Sequence, residues 1–131
     1  MIVLDASAAL EVLSQRPTAA AIEGRLFAKG ETLHAPALID LEIAQVLRRQ
    51  VSAGVMTATR GALALDVWRA FPLARHRHEL LLPRIWALRD TLTAYDAAYV
   101  ALAEALDATL ITIDTKLARA TGHRARVEVV A

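Results

Sequence analysis

Two short apolar runs in this chain each stop at an acid: Ile2-Val3-Leu4 ends at Asp5, and Thr109-Leu110-Ile111-Thr112-Ile113 ends at Asp114. Runs without polar alternation are the pattern of strands covered on both faces. In open α/β sheets the ground beyond the carboxyl ends of such strands is where ligands sit. The chain is therefore constrained toward a mainly parallel sheet, provided helical patterns separate the strands.

They do. Ala6 onward is Ala-rich with Leu10 and Leu13 at helical spacing, and a second helix is predicted from Pro17 to Gly30. Leu33-His34-Ala35 reads as a strand. Ala37 to Ala53 and Thr57 to Phe71 read as helices, the first ended by Gly54 and the second weakened by Gly61. Leu73-Ala74 reads as a short strand, and His78 to Arg89 as a helix that starts or kinks at Pro83. Thr93 can cap a helix running to Leu106, with Asp96 in the capping-box position. Leu117 to Thr121 is a short helix stopped by Gly122, and Arg126 to Val130 a last, edge strand. The expectation is a single α/β domain over residues 1–131. With 56% apolar and 22% charged residues and no cysteine, disorder, a disulfide framework and thiolate metal sites are all excluded. No basic leader precedes the first strand, and no run is long enough to read as a membrane span, so a soluble cytoplasmic protein is expected.

Asp5 and Asp114 sit where a ligand would be, although a carboxylate at a strand end also serves as the cap of the next helix. Glu42 is more informative. On a wheel of 100° steps, Leu38, Ile39, Ile43 and Val46 span one arc; Glu42 falls inside it and Asp40 outside. An ionised Glu within an apolar face is costly unless it is paired, bound to a metal or able to snorkel to water. Asp96 shares the ambiguity of the strand-end acids, between capping box and ligand. Four acids converging on one sheet edge would suit Mg2+ or Mn2+, which take oxygen ligands and keep several waters. His34, His76, His78 and His123 lack zinc spacing and read as surface or loop residues.

The segments M-I-V-L-D-A-S-A-A-L, P-A-L-I-D-L-E-I-A-Q-V-L-R-R, T-A-Y-D-A-A-Y-V-A-L-A and L-I-T-I-D-T-K-L-A stand in one order along nearly the whole chain. In that order they resemble PIN-domain ribonucleases, specifically the VapC-type toxins of bacterial toxin–antitoxin pairs. The resemblance implies a PIN-like α/β/α sandwich, with Asp5, Glu42, Asp96 and Asp114 as its acidic quartet. It further implies Ser7 and Thr112 as hydroxyl neighbours that orient ligands or waters. A homodimer and a cognate VapB-type antitoxin, whose C-terminal tail lies in the active-site groove, belong to the same implication. Asp40 and Asp107 are left out of the set, the first by the wheel and the second as a turn acid.

On this reading the chain hydrolyses RNA by metal-activated water. One ion held chiefly by Asp5, Asp96 and Asp114 would bind a phosphate oxygen, and Glu42 would orient the water or bind a second ion. In-line attack leaves a 5′-phosphate and a 3′-hydroxyl. An inactive RNA-binding or interaction module on the same fold is the alternative. A receiver-like phosphoacceptor would need paired acids after the first strand, where Ala6 and Ser7 stand instead.

Thirteen of the fifteen cations are Arg, and Arg69 to Arg89 form a stretch whose only acid is Glu79. Arg48, Arg49, Arg75 and Arg77 are the candidates for contact with the RNA backbone. Tyr95, Tyr99, Trp68 and Trp86 are assigned to core or dimer contacts, and Leu63, Val67, Trp68 and Phe71 motivate the dimer.

Overall fold

The computed structural model describes residues 1–131. Five strands, β1 (Ile2–Leu4), β2 (Leu33–Pro36), β3 (Leu73–His76), β4 (Thr109–Thr112) and β5 (Arg126–Val129), form one sheet in the order β3-β2-β1-β4-β5. Every pairing is parallel. The two runs that stop at acids are thus central neighbours: Leu4 lies opposite Ile111, and Asp5 N–H donates to the Ile111 carbonyl at 3.2 Å. Burial on both faces is complete in β1 and nearly so in β4, which is why neither alternates. β5 is an edge strand, as its partial alternation suggests.

Seven α-helices cover the sheet: α1 (Ala6–Leu13), α2 (Ala19–Leu26), α3 (Ile39–Ser52), α4 (Ala58–Arg69), α5 (Leu82–Ala87), α6 (Ala94–Leu106) and α7 (Thr115–Arg119), with a single 3-10 turn at Glu79–Leu81. α6 lies across β1, β2 and β4 with α5 against it, while α1 packs on β4 and gathers α2, α3 and α4. The result is one PIN-like α/β/α domain around a core of 28 buried residues. No helix is long and apolar enough to cross a membrane.

Several boundaries differ from the sequence reading for local reasons. α7 starts at Thr115 rather than Leu117, because Asp114 accepts from Lys116 N–H at 2.8 Å and fixes the start two residues earlier. α3 starts at Ile39 rather than Ala37, and the two residues before it are anchored by Leu38 N–H donating to His78 Nε2 and Ala37 N–H to the His76 carbonyl. β3 runs on to His76, paired in register with the whole of β2. Pro83 starts α5 instead of kinking a longer helix. Gly54 and Gly122 adopt φ of +73° and +84°, as chain reversal after α3 and α7 requires.

Candidate active site

The strand polarity decides where the acids meet. Asp5 follows β1, Asp114 follows β4, and Glu42 lies in the first turn of α3 just after β2, so all three reach the carboxyl edge of the sheet. α6 runs back from that edge to the start of β4, so Asp96 in its first turn joins them. Each of the acids comes from a different segment, and the topology alone makes them neighbours.

Asp5 is 6% exposed and both of its oxygens are held. Oδ1 accepts from Ser7 Oγ at 2.7 Å and from Ala8 N–H at 3.0 Å, and Oδ2 accepts from Thr112 Oγ1 at 2.5 Å. Capping and site are therefore not alternatives here; one oxygen caps α1 while the other reaches across the sheet. Thr112, fully buried, accepts from Asp114 N–H at 2.9 Å and so ties the ends of β1 and β4 together. Ser7 Oγ lies 3.2 Å from the Thr112 hydroxyl and accepts from Ile113 N–H. At α6 the Thr93 hydroxyl accepts from Asp96 N–H at 3.2 Å, but Asp96 does not return a bond to the Thr93 N–H. Only half of the capping box forms, leaving the Asp96 carboxylate outside it.

Burial raises the pKa of Asp5, Glu42 and Asp96, and neighbouring carboxylates push each the same way: Asp114 on Asp5 and on Asp96, Asp96 and Asp5 on Glu42. The four acids are thus electrostatically one cluster. No three His, Cys, Asp or Glu side chains are close enough to form a ready cage for one ion. The donor set is nevertheless all oxygen and anionic. A hard divalent ion that keeps most of its waters and leans on one or two carboxylates fits it.

Asp40 is held elsewhere. Its carboxylate accepts from Trp68 Nε1 at 2.7 Å and from Arg75 Nε at 2.8 Å, which agrees with its place outside the apolar arc. It is a structural anion and not a free surface group. Asp107 ends α6 in the left-handed region at φ 50° and pairs with Arg126 at 2.9 Å, a turn acid as expected. The arginine stretch is largely neutralised: Arg75 by Asp40, Arg77 by Glu79, Arg84 by Glu104 and Arg69 by Asp66. Arg48 bonds Gln45 and lines a crease between α3 and α4. Arg49 lines a cavity of about 680 Å³ that runs from Ser7 and Glu42 over Leu10, Leu38, Leu41, Val46 and Tyr95.

Other side chains depart from the sequence reading. His34 and His76 lie in paired strands with Nδ1 and Nε2 2.9 Å apart, and His78 accepts from backbone, so these are hydrogen-bonded joints more than loose surface groups. Trp68 is buried and stacks on Phe71, while Leu63 and Val67 stay exposed, so only the latter pair remains available to a partner. Trp86 and Tyr95 are two-thirds exposed, not core. Tyr99 is in the core, but its hydroxyl donates to Glu42 Oε1 at 2.5 Å. The one mark the sequence gives it is a phenol three residues after Asp96, on the same helix face, in a stretch otherwise of Ala, Val and Leu, where it reads as packing.

A family model for the PIN domain matches residues 2–122. The chain is 42% identical over 131 residues to Ribonuclease VapC12 of Mycobacterium tuberculosis, covering all of both proteins. It is 45% identical over 117 residues to Ribonuclease VapC9 of the same species, covering 89% of this chain and 88% of the other. The fold superposes on the crystal structure of VapBC2 from Rickettsia felis, bound to a DNA fragment from their promoter, with a TM-score of 0.76 and 17% identity over all of both chains. The chain belongs to the PIN-domain family. Within that family it is a VapC-type ribonuclease.

Proposed function

We propose that this protein is the endoribonuclease toxin of a VapBC-type pair, hydrolysing RNA phosphodiester bonds with Mg2+ or Mn2+. The observation that carries the reading is the gathering of Asp5, Glu42, Asp96 and Asp114 at one sheet edge, three of them with carboxyl pKa raised. Like charges drawn together at a cost to folding point to a cationic ligand that offsets them. The divalent ion, when bound, supplies positive charge to the phosphate and acidifies a water.

The chain's own residues do the rest. Asp5, fixed by Ser7, Ala8 and Thr112, is the rigid ligand, with one lone pair of Oδ2 left open. Asp96 and Asp114 stand beside it to complete the electrostatic site. Glu42 accepts a proton from the attacking water, or orients that water, from the wall of the adjoining cavity. Arg49, exposed on the same wall and in no ion pair, meets the RNA backbone. Attack in line with the leaving 3′-oxygen leaves a 5′-phosphate.

The partners follow from the same surfaces. The cavity between α1 and α3 takes the tail of a VapB-type antitoxin, whose basic side chain enters the acid cluster. Exposed Leu63 and Val67 on α4 form the homodimer face. We place the protein in the cytoplasm, with its RNA.

Purified protein should cut single-stranded RNA in Mg2+ or Mn2+ and stop in excess chelator. Cleavage undiminished by chelator, in a preparation that Asp5→Asn renders inactive, would overturn the metal role; RNA left intact under every condition would overturn the enzyme.

A further inference from the structure

Glu42 is a long side chain at the start of a helix, half-buried beside other carboxylates, and repulsion from Asp5 and Asp96 favours swinging it away. Something must hold it. The only hydrogen bond it makes within the chain is with Tyr99, whose hydroxyl donates to Oε1 at 2.5 Å. The Tyr99 ring is 2% exposed within the core, and its hydroxyl, besides donating to Glu42, accepts from the Ala6 N–H. Glu42 Oε2 has no partner, and His123 Nε2 is the only buried side-chain polar atom lacking one, so Oε2 is open to solvent. Asp96 and Tyr99 are three residues apart on α6, on one face. The helix that supplies one acid therefore also supplies the donor that fixes another.

We infer that Tyr99 is a positioning residue for catalysis, anchoring one oxygen of Glu42 so that the other faces the reacting water in a single orientation. Burial, with Glu42 beside it, holds the phenol's pKa above its ordinary value, so the hydroxyl is a donor wherever an ordinary tyrosine is one. The inference rests on the role proposed above for Glu42. Outer partners of this kind typically contribute 10- to 100-fold to activity or metal affinity, and displacement of a reacting group by about 1 Å is enough to cost that much.

The test is Tyr99→Phe, which removes one oxygen and keeps the ring. On an RNA that the wild-type protein cuts in Mg2+, kcat should fall by roughly 10- to 100-fold with KM within about twofold and cooperative melting retained. A second measurement needs no RNA. In Tyr95→Phe protein grown on 3-fluorotyrosine, Tyr99 is the sole fluorinated residue; its 19F signal should move on adding Mg2+ and stay put in the additional presence of Glu42→Gln. A purely structural tyrosine would lower melting without changing kcat and would leave the signal indifferent to Mg2+. A kcat within twofold of wild type, or a signal that Glu42→Gln does not alter, overturns the role of Tyr99 while leaving the proposed function standing. Wild-type protein that neither cuts RNA nor gains stability from Mg2+ overturns both.

Discussion

Asp5 can be neutralised without breaking its hydrogen bonds. In Asp5→Asn the side-chain oxygen can keep the Ser7 and Ala8 donors, and the new amide can donate to Thr112 Oγ1, which then turns its own proton toward Ser7. Cleavage should be lost while metal-free stability stays within about 1 kcal/mol of wild type or rises. The same burial sets a pH dependence. Asp5, Glu42 and Asp96 hold their protons to higher pH folded than unfolded. Their contribution is complete below about pH 4 and is lost as pH rises through the raised values. Glu104 works in the opposite sense: Arg84 lowers its pKa below 4.5, so its contribution is present above that value and is lost as pH falls through the lowered one. In chelator, the contribution of these three acids to the urea midpoint should therefore fall as pH rises above about 4, and less so in Asp5→Asn; a wild-type midpoint that climbs more steeply than that of Asp5→Asn as pH rises toward neutrality contradicts the cluster. Asp40 supplies the contrast. Asp40→Ala leaves the Trp68 indole N–H without its acceptor and should cost about 1–3 kcal/mol with kcat unchanged, so heat melting and cleavage separate the two acids. That Glu42 lies toward the other acids and Asp40 does not was legible because a helical wheel distinguishes faces. The tether on Glu42 was not, because a tyrosine among alanines and leucines reads as packing until the facing helix is in place.

Strands and most helices were legible where one local rule sufficed: an apolar run, a cap, a glycine after the last turn. What escaped depended on another element. α7 begins early because Asp114 is held by Thr112 and free to cap, and the cationic stretch reads as a binding patch until Asp40 and Glu104 arrive from other helices to pair with Arg75 and Arg84. Gly61 is a case in which sequence and packing disagree. Within a helix, Ala in place of Gly ordinarily gains about 1 kcal/mol. Here a Cβ would lie 2.9 Å from Val51 Cγ2 on α3, and a β-branched side chain has little freedom to retreat. Gly61→Ala should therefore fail to stabilise, and Gly61→Ala with Val51→Ala should recover most of the difference between them. A simple gain in the single variant would mean that α3 and α4 are packed more loosely than the structure has them.

For the molecule as a whole, the clustered acids oppose folding, and on the proposed function a divalent cation would offset them. Mg2+ at about a hundredfold excess over its dissociation constant should add about 2.7 kcal/mol to stability, an increment seen as a rise in melting temperature and diminished in Asp96→Asn. An equal rise in that variant would place the ion elsewhere. The bond between Thr112 and Asp5 spans 107 positions of sequence. A ribosome makes the two partners in order, Asp5 first and Thr112 only with β4, which then pairs with β1. Until that strand emerges, Asp5 has no hydroxyl across the sheet and Asp114 does not exist. A chain that stops short of β4 consequently lacks both the hydroxyl that holds Asp5 and the Asp114 carboxylate, and its acid cluster is incomplete. The acid cluster is therefore assembled in one late step, when β4 closes on β1, rather than piece by piece along the chain.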